Sequence, residues 1–461
     1  MTGQPRRILL VLATMLTAPL STIRVAQAAS AAAEDYPTPS ATDWAVAATS
    51  GELTRREVLS VVLARSPQLR LYALDIRIAD ARRLQASFLP NPELGVEFEN
   101  IGGTGDTRGF RGAETTIAVS QPIETAGKRG KRLAAASADS KVAEADYRAR
   151  RSEILAEADK AFHELLAAQQ TLGLATEQVD LAGRLSEAVG RRVSAGKDPA
   201  VEGSRAAIEL AEAQLQRADA ATAVEAARGR LSLLWGDEEP LFACVVGDQS
   251  EPLEPPDVHT LRTSVLDHPA VTRWTEAAAA AVARLRLAEA RGTPDVTVMG
   301  GYRRLGADND NALVFGLAIP LPVFDRNKAG RLEAHYELAR IREQAAAART
   351  EMLGRLALVH TRLTAAARRA QVLQSSILPN AAAAYDAALI GYQQGKFDYL
   401  NVLDAQRTYF DVQQKAVAAM LEYHRVRADL EAITECPLEA IAVPTRTVSS
   451  NTFPEVDSNE P

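Results

Sequence analysis

The chain has 461 residues, 47% of them hydrophobic and 24% charged, and a formal net charge of −7. An acidic balance without a dense Lys/Arg stripe argues against nucleic acid as a partner. The six histidines and five methionines are scattered, so no metal centre or other cofactor is expected, and beyond the N-terminus no run approaches the roughly 20 apolar residues of a spanning helix.

Residues 1–28 read as a secretory signal: Arg6 and Arg7, a mostly apolar stretch from Ile8 to Leu20, then Ala26-Gln27-Ala28 as a small-residue cleavage site. The expectation is export, and a membrane crossed, if at all, by strands. Residues 29–50, rich in Ala, Pro, Ser and Thr, read as a flexible lead.

The first structural repeat is placed at 51–235. An Ala-rich helical stretch opens at Ser66-Pro67. In Glu93-Leu94-Gly95-Val96-Glu97-Phe98-Glu99 the acids Glu93, Glu97 and Glu99 alternate with Leu94, Val96 and Phe98, the period of a strand with one apolar face. A polar, Gly-rich tip (Gly102 to Gly109) leads to a second such strand, with Thr115, Ile117 and Val119 on one face and Glu114, Thr116 and Ser120 on the other. From about Lys128 to Val193 no proline occurs, and a helix of roughly 65 residues would be about 100 Å long. Leu165, Leu172 and Val179 recur every seventh position, the spacing of coiled-coil packing. Gly196 closes this helix and a second long helix returns.

Residues 236–257 form a Pro- and acid-rich linker or equatorial belt. The second repeat, 258–436, restates the first. Pro269 and Pro294 stand at the same offset from Pro67 and Pro92; Pro320 and Gly395-Lys396 repeat Pro122 and Gly196-Lys197 within a few positions of it. Val296, Val298 and Tyr302 alternate with Asp295 and Thr297, and Leu313, Phe315, Leu317 and Ile319 with Ala312, Gly316 and Ala318. Leu356, Leu363, Ala370 and Ile377, then Leu403, Phe410 and Val417, keep the sevenfold period. Residues 437–461 read as a flexible tail. Cys244 and Cys436, near the ends of the two repeats, are either a disulfide or two free thiols. His163, His335 and His360 are single helical histidines, read as surface or packing residues.

The fold class expected is mainly α with a membrane β-barrel, from a duplicated helix, strand, strand, long helical hairpin unit. Four strands cannot close a barrel and lipid does not tolerate an open edge, so several chains have to share one.

This order of elements resembles the TolC-type outer-membrane channels of tripartite efflux and secretion systems. Phe88-Leu89-Pro90-Asn91-Pro92-Glu93-Leu94 with Glu97-Phe98-Glu99-Asn100, and Gln121-Pro122-Ile123-Glu124 leading into Gly127-Lys128-Arg129, resemble the CzcC-type heavy-metal efflux branch. Ala126 stands where that branch often has a second glycine. The resemblance implies a homotrimer with a 12-stranded barrel in outer-membrane lipid of a Gram-negative bacterium and a periplasmic α-helical barrel. It implies docking on a periplasmic membrane-fusion adaptor, linked to an inner-membrane pump of the proton-driven RND type, and a passive duct rather than an enzyme. It also implies an acidic periplasmic mouth: Asp404 takes one acidic position, Asn401 replaces the other, Glu202 matches an acid paired in a relative, and Phe397 stands where that relative has a basic latch. Gly196, Gly395 and Leu403 would shape the tip, and Asp404 could equally be a solvated helix residue. Glu93, Glu97 and Glu99, repeated threefold, would line the lumen and favour divalent cations. Multidrug efflux or type I protein secretion is the alternative cargo. A periplasmic coiled-coil adaptor or scaffold is the alternative class, disfavoured by the paired strand hairpins inside each repeat.

Overall fold

A computed structural model describes residues 51–247, 252–435 and 437–438. The signal segment, the lead, Cys436 and nearly all of the tail lie outside the described residues. The chain divides into two compact units: one comprises Ile78–Ser137 and Glu289–Arg326, the other the remaining described residues. Each sequence repeat therefore contributes to both units.

The elements follow in the order β1 (Glu52–Thr54), α1 (Arg55–Arg65), α2 (Pro67–Ser87), β2 (Glu93–Glu99), β3 (Glu114–Ile123), α3 (Lys128–Ser194), α4 (Ala200–Leu233) and β4 (Cys244–Val246). The second half gives α5 (Val258–Leu266), α6 (Pro269–Ala290), β5 (Val296–Leu305), β6 (Asp310–Ala318), α7 (Lys328–Val372), α8 (Leu378–Gln393) and α9 (Tyr399–Thr434). No described helix is long and apolar enough to cross a membrane. Thr54 and Glu57 cap α1 reciprocally, the Thr54 amide donating to Glu57 Oε2 at 2.8 Å. Prolines 67 and 269 open α2 and α6, where the missing N–H has no partner to lose.

The first unit is built on a four-stranded antiparallel sheet ordered β2-β3-β5-β6. Each repeat supplies one hairpin, and β3 joins β5 across the duplication. The junction beneath the first hairpin explains the two motifs around Pro90 and Gln121. Gln121 Nε2 donates to the Pro90 carbonyl at 2.9 Å. Arg129 Nε donates to Ser87 O at 2.7 Å, and Arg132 reaches Phe88 O at 3.0 Å while pairing with Glu124. Carbonyls left over at the end of α2 are thus satisfied by side chains just after β3.

In this junction Ala126 lies at φ +53°, beside Gly127 at φ +66°. A left-handed conformation costs an ordinary L-residue roughly 1–2 kcal/mol. Ala126→Gly is therefore expected to stabilise the protein, by up to about 1 kcal/mol once the greater freedom of glycine in the unfolded chain is subtracted. The check is the midpoint of thermal unfolding of the purified protein; a lower midpoint for the variant would contradict the strain.

The second unit is mostly helical, with β1 and β4 paired in parallel so that Leu53 lies opposite Val245. Leu356, Leu363 and Ala370 pack with Met420, Tyr423 and Leu430, as the sevenfold spacing requires. The spacing fails at Ile377, which is exposed while Leu373 is buried. A π-helical turn over Leu373–Ile377 causes this by inserting extra residue length before Pro379, which has no N–H for the Ser375 carbonyl. Burial resumes in a shifted phase at Ala381, Tyr385, Ala388 and Tyr392.

A charged cluster is buried in this unit. Arg55 of α1 forks onto Asp159 of α3 at 2.5 and 2.8 Å and reaches Glu431 of α9 at 3.0 Å. Beside it the rings of His163 (α3) and His424 (α9) stack at 4.0 Å. Of the other expected packing or surface histidines, His335 is exposed and His360 Nε2 meets Pro256 O at 2.9 Å. Cys244 is half-buried and unpaired among the described residues, and Cys436, the other cysteine of the expected alternatives, lies outside them.

Candidate functional site

The two faces of the sheet differ sharply. Register places Val96, Ile117, Tyr302 and Leu313 in one row, with Leu94, Val119, Gly300 and Phe315 in the next row on the same face. These apolar side chains are not covered: Leu94 is 70%, Phe315 71% and Leu317 66% exposed. Strands β2 and β6 are both edges, with unpaired backbone groups along one side.

The opposite face carries Glu93, Glu97 and Glu99 on β2, Glu114, Thr116 and Ser120 on β3, and Arg303 on β5. The three predicted glutamates are not equivalent. Arg303 pairs with Glu99 at 2.8 Å and Glu114 at 3.1 Å, and its Nε donates to Thr116 Oγ1 at 2.9 Å. Glu93 and Glu97 are exposed, with no ion pair among the described residues. Arg303 was missed by reading the acids of one strand alone; its alternation with Tyr302 already put it on the polar face.

In the second unit, α3 ends at Gly196 (φ +68°), with Lys197 N donating to Arg192 O at 2.9 Å. In the matching turn after α8, Gly395 (φ +70°) does the same work and Lys396 N donates to Gly391 O at 2.8 Å. The two turns are tied together. Arg192 donates twice to Asp198, at 2.7 and 2.8 Å, and lies over the Tyr392 ring at 5.0 Å. The Tyr392 hydroxyl donates to Asp198 Oδ2 at 3.3 Å. Arg192 holds the Asp198 carboxyl below its ordinary range, and burial pushes the Tyr392 phenol up. Neither Arg192 nor Asp198 was singled out from sequence. The available signal was their placement on either side of Gly196.

Below this link Leu403 is buried with Leu185, Val189, Ala206, Tyr399 and Val402. It therefore shapes the turns from inside rather than offering a surface. Phe397 packs over Gly391, where a Cβ would collide with its ring. Glu202, half-buried in the first turn of α4, is close enough to Tyr392 and Tyr399 to help raise both phenols. Asn401 and Asp404 are exposed on α9. Arg407, one turn on from Asp404 along α9, pairs with Glu209 of α4.

The Arg192, Asp198 and Tyr392 set joins both helical hairpins of one chain, so breaking it should loosen the turns without unfolding the helices. Asp198→Asn, or Tyr392→Phe, is expected to raise the rate of proteolysis at the turns while leaving helix content unchanged. A proteolysis rate equal to the parent's in both variants would contradict this role of the link.

The model of the family "Outer membrane efflux protein" matches residues 58–237 and 268–434. The chain is 32% identical to the cobalt-zinc-cadmium resistance protein CzcC of Cupriavidus metallidurans, over 83% of this chain and 90% of that one. It is 29% identical to the nickel-cobalt-cadmium resistance protein NccC of Alcaligenes xylosoxydans xylosoxydans, over 59% and 62%. Among solved structures, the outer membrane protein VceC of Vibrio cholerae superposes with a TM-score of 0.67 at 20% identity, covering 83% of this chain and 96% of that chain. The channel CusC superposes with a TM-score of 0.64 at 18% identity, covering 82% and 91%.

Proposed function

The chain belongs to the outer membrane efflux protein family, and from that premise we propose that it is the outer-membrane channel of a tripartite, RND-type efflux system, a passive duct for divalent heavy-metal cations. The observation that carries this reading is the uncovered apolar face running across all four strands while the other face is polar and charged. Such a face is stable against lipid, and two open edges are stable there only if other copies pair with them. Three copies would give 12 strands. The helices of the second unit then form the periplasmic part, and their turns meet the adaptor that connects the channel to its pump.

Cation passage rests on the relatives' resistance to cobalt, zinc, cadmium and nickel and on the acids of the polar face. A duct needs no nucleophile, cofactor or resident metal; the cation is cargo. Glu93 and Glu97 are proposed as the lumen acids that attract it, with Glu99 largely neutralised by Arg303. At the mouth, Asp404 and Glu202 are proposed to supply the threefold acidic entrance, with the neutral Asn401 beside Asp404 in place of a second acid, held narrow by the link at Asp198.

The test is reconstitution. Detergent-extracted protein should contain three chains, dissociate only on heating, and conduct ions in planar bilayers with cation preference. Arg303→Gln frees two carboxylates per chain and is expected to raise the cation-to-anion permeability ratio several-fold, whereas Glu97→Gln lowers it. A stable monomer that conducts, or a ratio that neither substitution moves, would overturn the assignment.

A further inference from the structure

The apolar face ends at an arginine. Along β5 the side chains alternate, so Arg303 turns to the polar face and Arg304 to the apolar one. Arg304 is exposed, in the register row Phe98, Thr115, Arg304, Asn311, directly beyond the row of Tyr302. From Val296, where the same face begins, to Arg304 the strand advances roughly 27 Å at about 3.4 Å per residue, or about 20 Å along the membrane normal at a tilt of roughly 40°. That approaches the lipid-facing band of about 25 Å flanked by aromatic girdles. Arg304 is thus at the depth where hydrocarbon gives way to headgroups, at the hairpin-tip end of the sheet.

More positive charge lies in the adjoining tip. Arg108 and Arg111 flank Phe110, which is 78% exposed, as is much of neighbouring Ile101. Gly102 N donating to Gly109 O at 3.0 Å closes the tip, and Gly306 N donating to Ala113 O at 2.9 Å joins its base to the end of β5. Among the described residues none of the three arginines pairs with a carboxylate; Arg304 donates only to the Asn309 amide oxygen, at 3.0 Å. Four of the described acids near them are otherwise placed. Glu99 and Glu114 pair with Arg303 on the opposite face. Asp310 shares its row with Leu305 on that face, and Asp308 lies in the turn between β5 and β6.

We propose that Arg304, Arg108 and Arg111 form a docking surface for the phosphate groups of a phosphorylated glycolipid, with Phe98 of the Arg304 row against its acyl chains and Phe110 and Ile101 against its headgroup. The proposal rests on the membrane-channel reading above, because only a lipid-facing sheet brings this row to a headgroup layer. Charge complementarity and continuity with the apolar face favour a lipid over a protein partner. Guanidinium forks suit phosphate oxygens.

The experiment is native mass spectrometry of detergent-released channel with added bis-phosphorylated lipid A, its dephosphorylated form, and inorganic phosphate as competitor. The parent should retain lipid A at a concentration about 100-fold lower than Arg108→Gln/Arg111→Gln/Arg304→Gln does, at about a factor of five per arginine. Dephosphorylated lipid should bind the parent as weakly as lipid A binds the variant. Arg304→Gln alone, expected at about fivefold weaker, covers the case in which the triple variant does not assemble. Arg303→Gln, on the other face, should bind lipid as the parent does. Equal retention by parent and variants, or displacement of the lipid by millimolar inorganic phosphate, would overturn the docking surface. Trimer formation and bilayer conductance are measured on the same samples. A parent that conducts but does not discriminate phosphorylated lipid defeats this proposal only; a parent that neither assembles nor conducts defeats the channel reading beneath it.

Discussion

Phe315→Arg is expected to abolish recovery of the assembled protein from membranes. Phe315 is in the middle of β6, opposite Gly300, with Leu313 and Leu317 on the same face of its own strand. In a barrel this row lies well inside hydrocarbon, where an arginine costs about 2–4 kcal/mol. Each trimer would carry three, and the sum is comparable to the whole stability of a typical domain. Val96→Arg, in a neighbouring row on β2, should behave alike. Glu97→Gln, on the polar face, should leave assembly intact. Heat-dissociable trimer in the outer-membrane fraction is the measurement. Normal assembly of Phe315→Arg alongside failure of Glu97→Gln would mean that the faces are reversed.

Acid is expected to destabilise the helical unit well before its carboxylates are protonated. Burial holds His163 down to about 4 and His424 down to about 3, with Arg427 and Arg55 adding to the effect and Asp159 opposing it. Neither nitrogen of His424 has a hydrogen-bond partner among the described residues. Both rings stay neutral in the fold at pH values where an unfolded histidine, near 6.5, is already charged. The unfolded chain therefore binds more protons below that value, and stability falls with pH until the folded values are reached. Between pH 7 and 5 the two sites together should remove about 3–4 kcal/mol. Burial tends to raise Asp159, but its hydrogen bonds and charge interaction with Arg55 outweigh this and hold it low, so its contribution is lost only at more acid pH. The dissociation temperature should drop by several degrees over this range in the parent, and by much less in His163→Phe/His424→Phe. A parent insensitive to pH between 7 and 5, or a double variant with the parent's slope, would contradict the account.

Much of the fold was legible because its signals are local. Alternation in Glu93–Glu99 and Leu313–Leu317 marked strands and their faces, and the long proline-free run after Lys128 marked α3. Gly196 and Gly395 marked turns because left-handed backbone favours glycine. What stayed hidden is relational. Nothing within β2 announces that Arg303, seven elements later along the chain but two strands across the sheet, neutralises Glu99. His163 and His424 each look like ordinary helix residues, and only the packing of α3 on α9 makes them one titrating pair. The π turn was masked because Leu356, Leu363, Ala370 and Ile377 keep perfect spacing; the helix itself slips out of phase before Pro379. At the turns, glycine placed the bend, while Asp198 and Tyr392 acquire meaning only when two hairpins meet.

The pairing of β3 with β5 also sets an order of events for a newly made chain. The first hairpin leaves the ribosome with both of its edges bare, and its inner neighbour does not exist until α3, α4, the belt and α6 have been synthesised. β1 likewise waits for β4, in the belt beyond the first repeat. Contacts this distant along the chain form slowly and leave sticky edges exposed meanwhile. Maturation of this protein should accordingly be limited by how long an unfinished hairpin can be kept from pairing with the wrong strand.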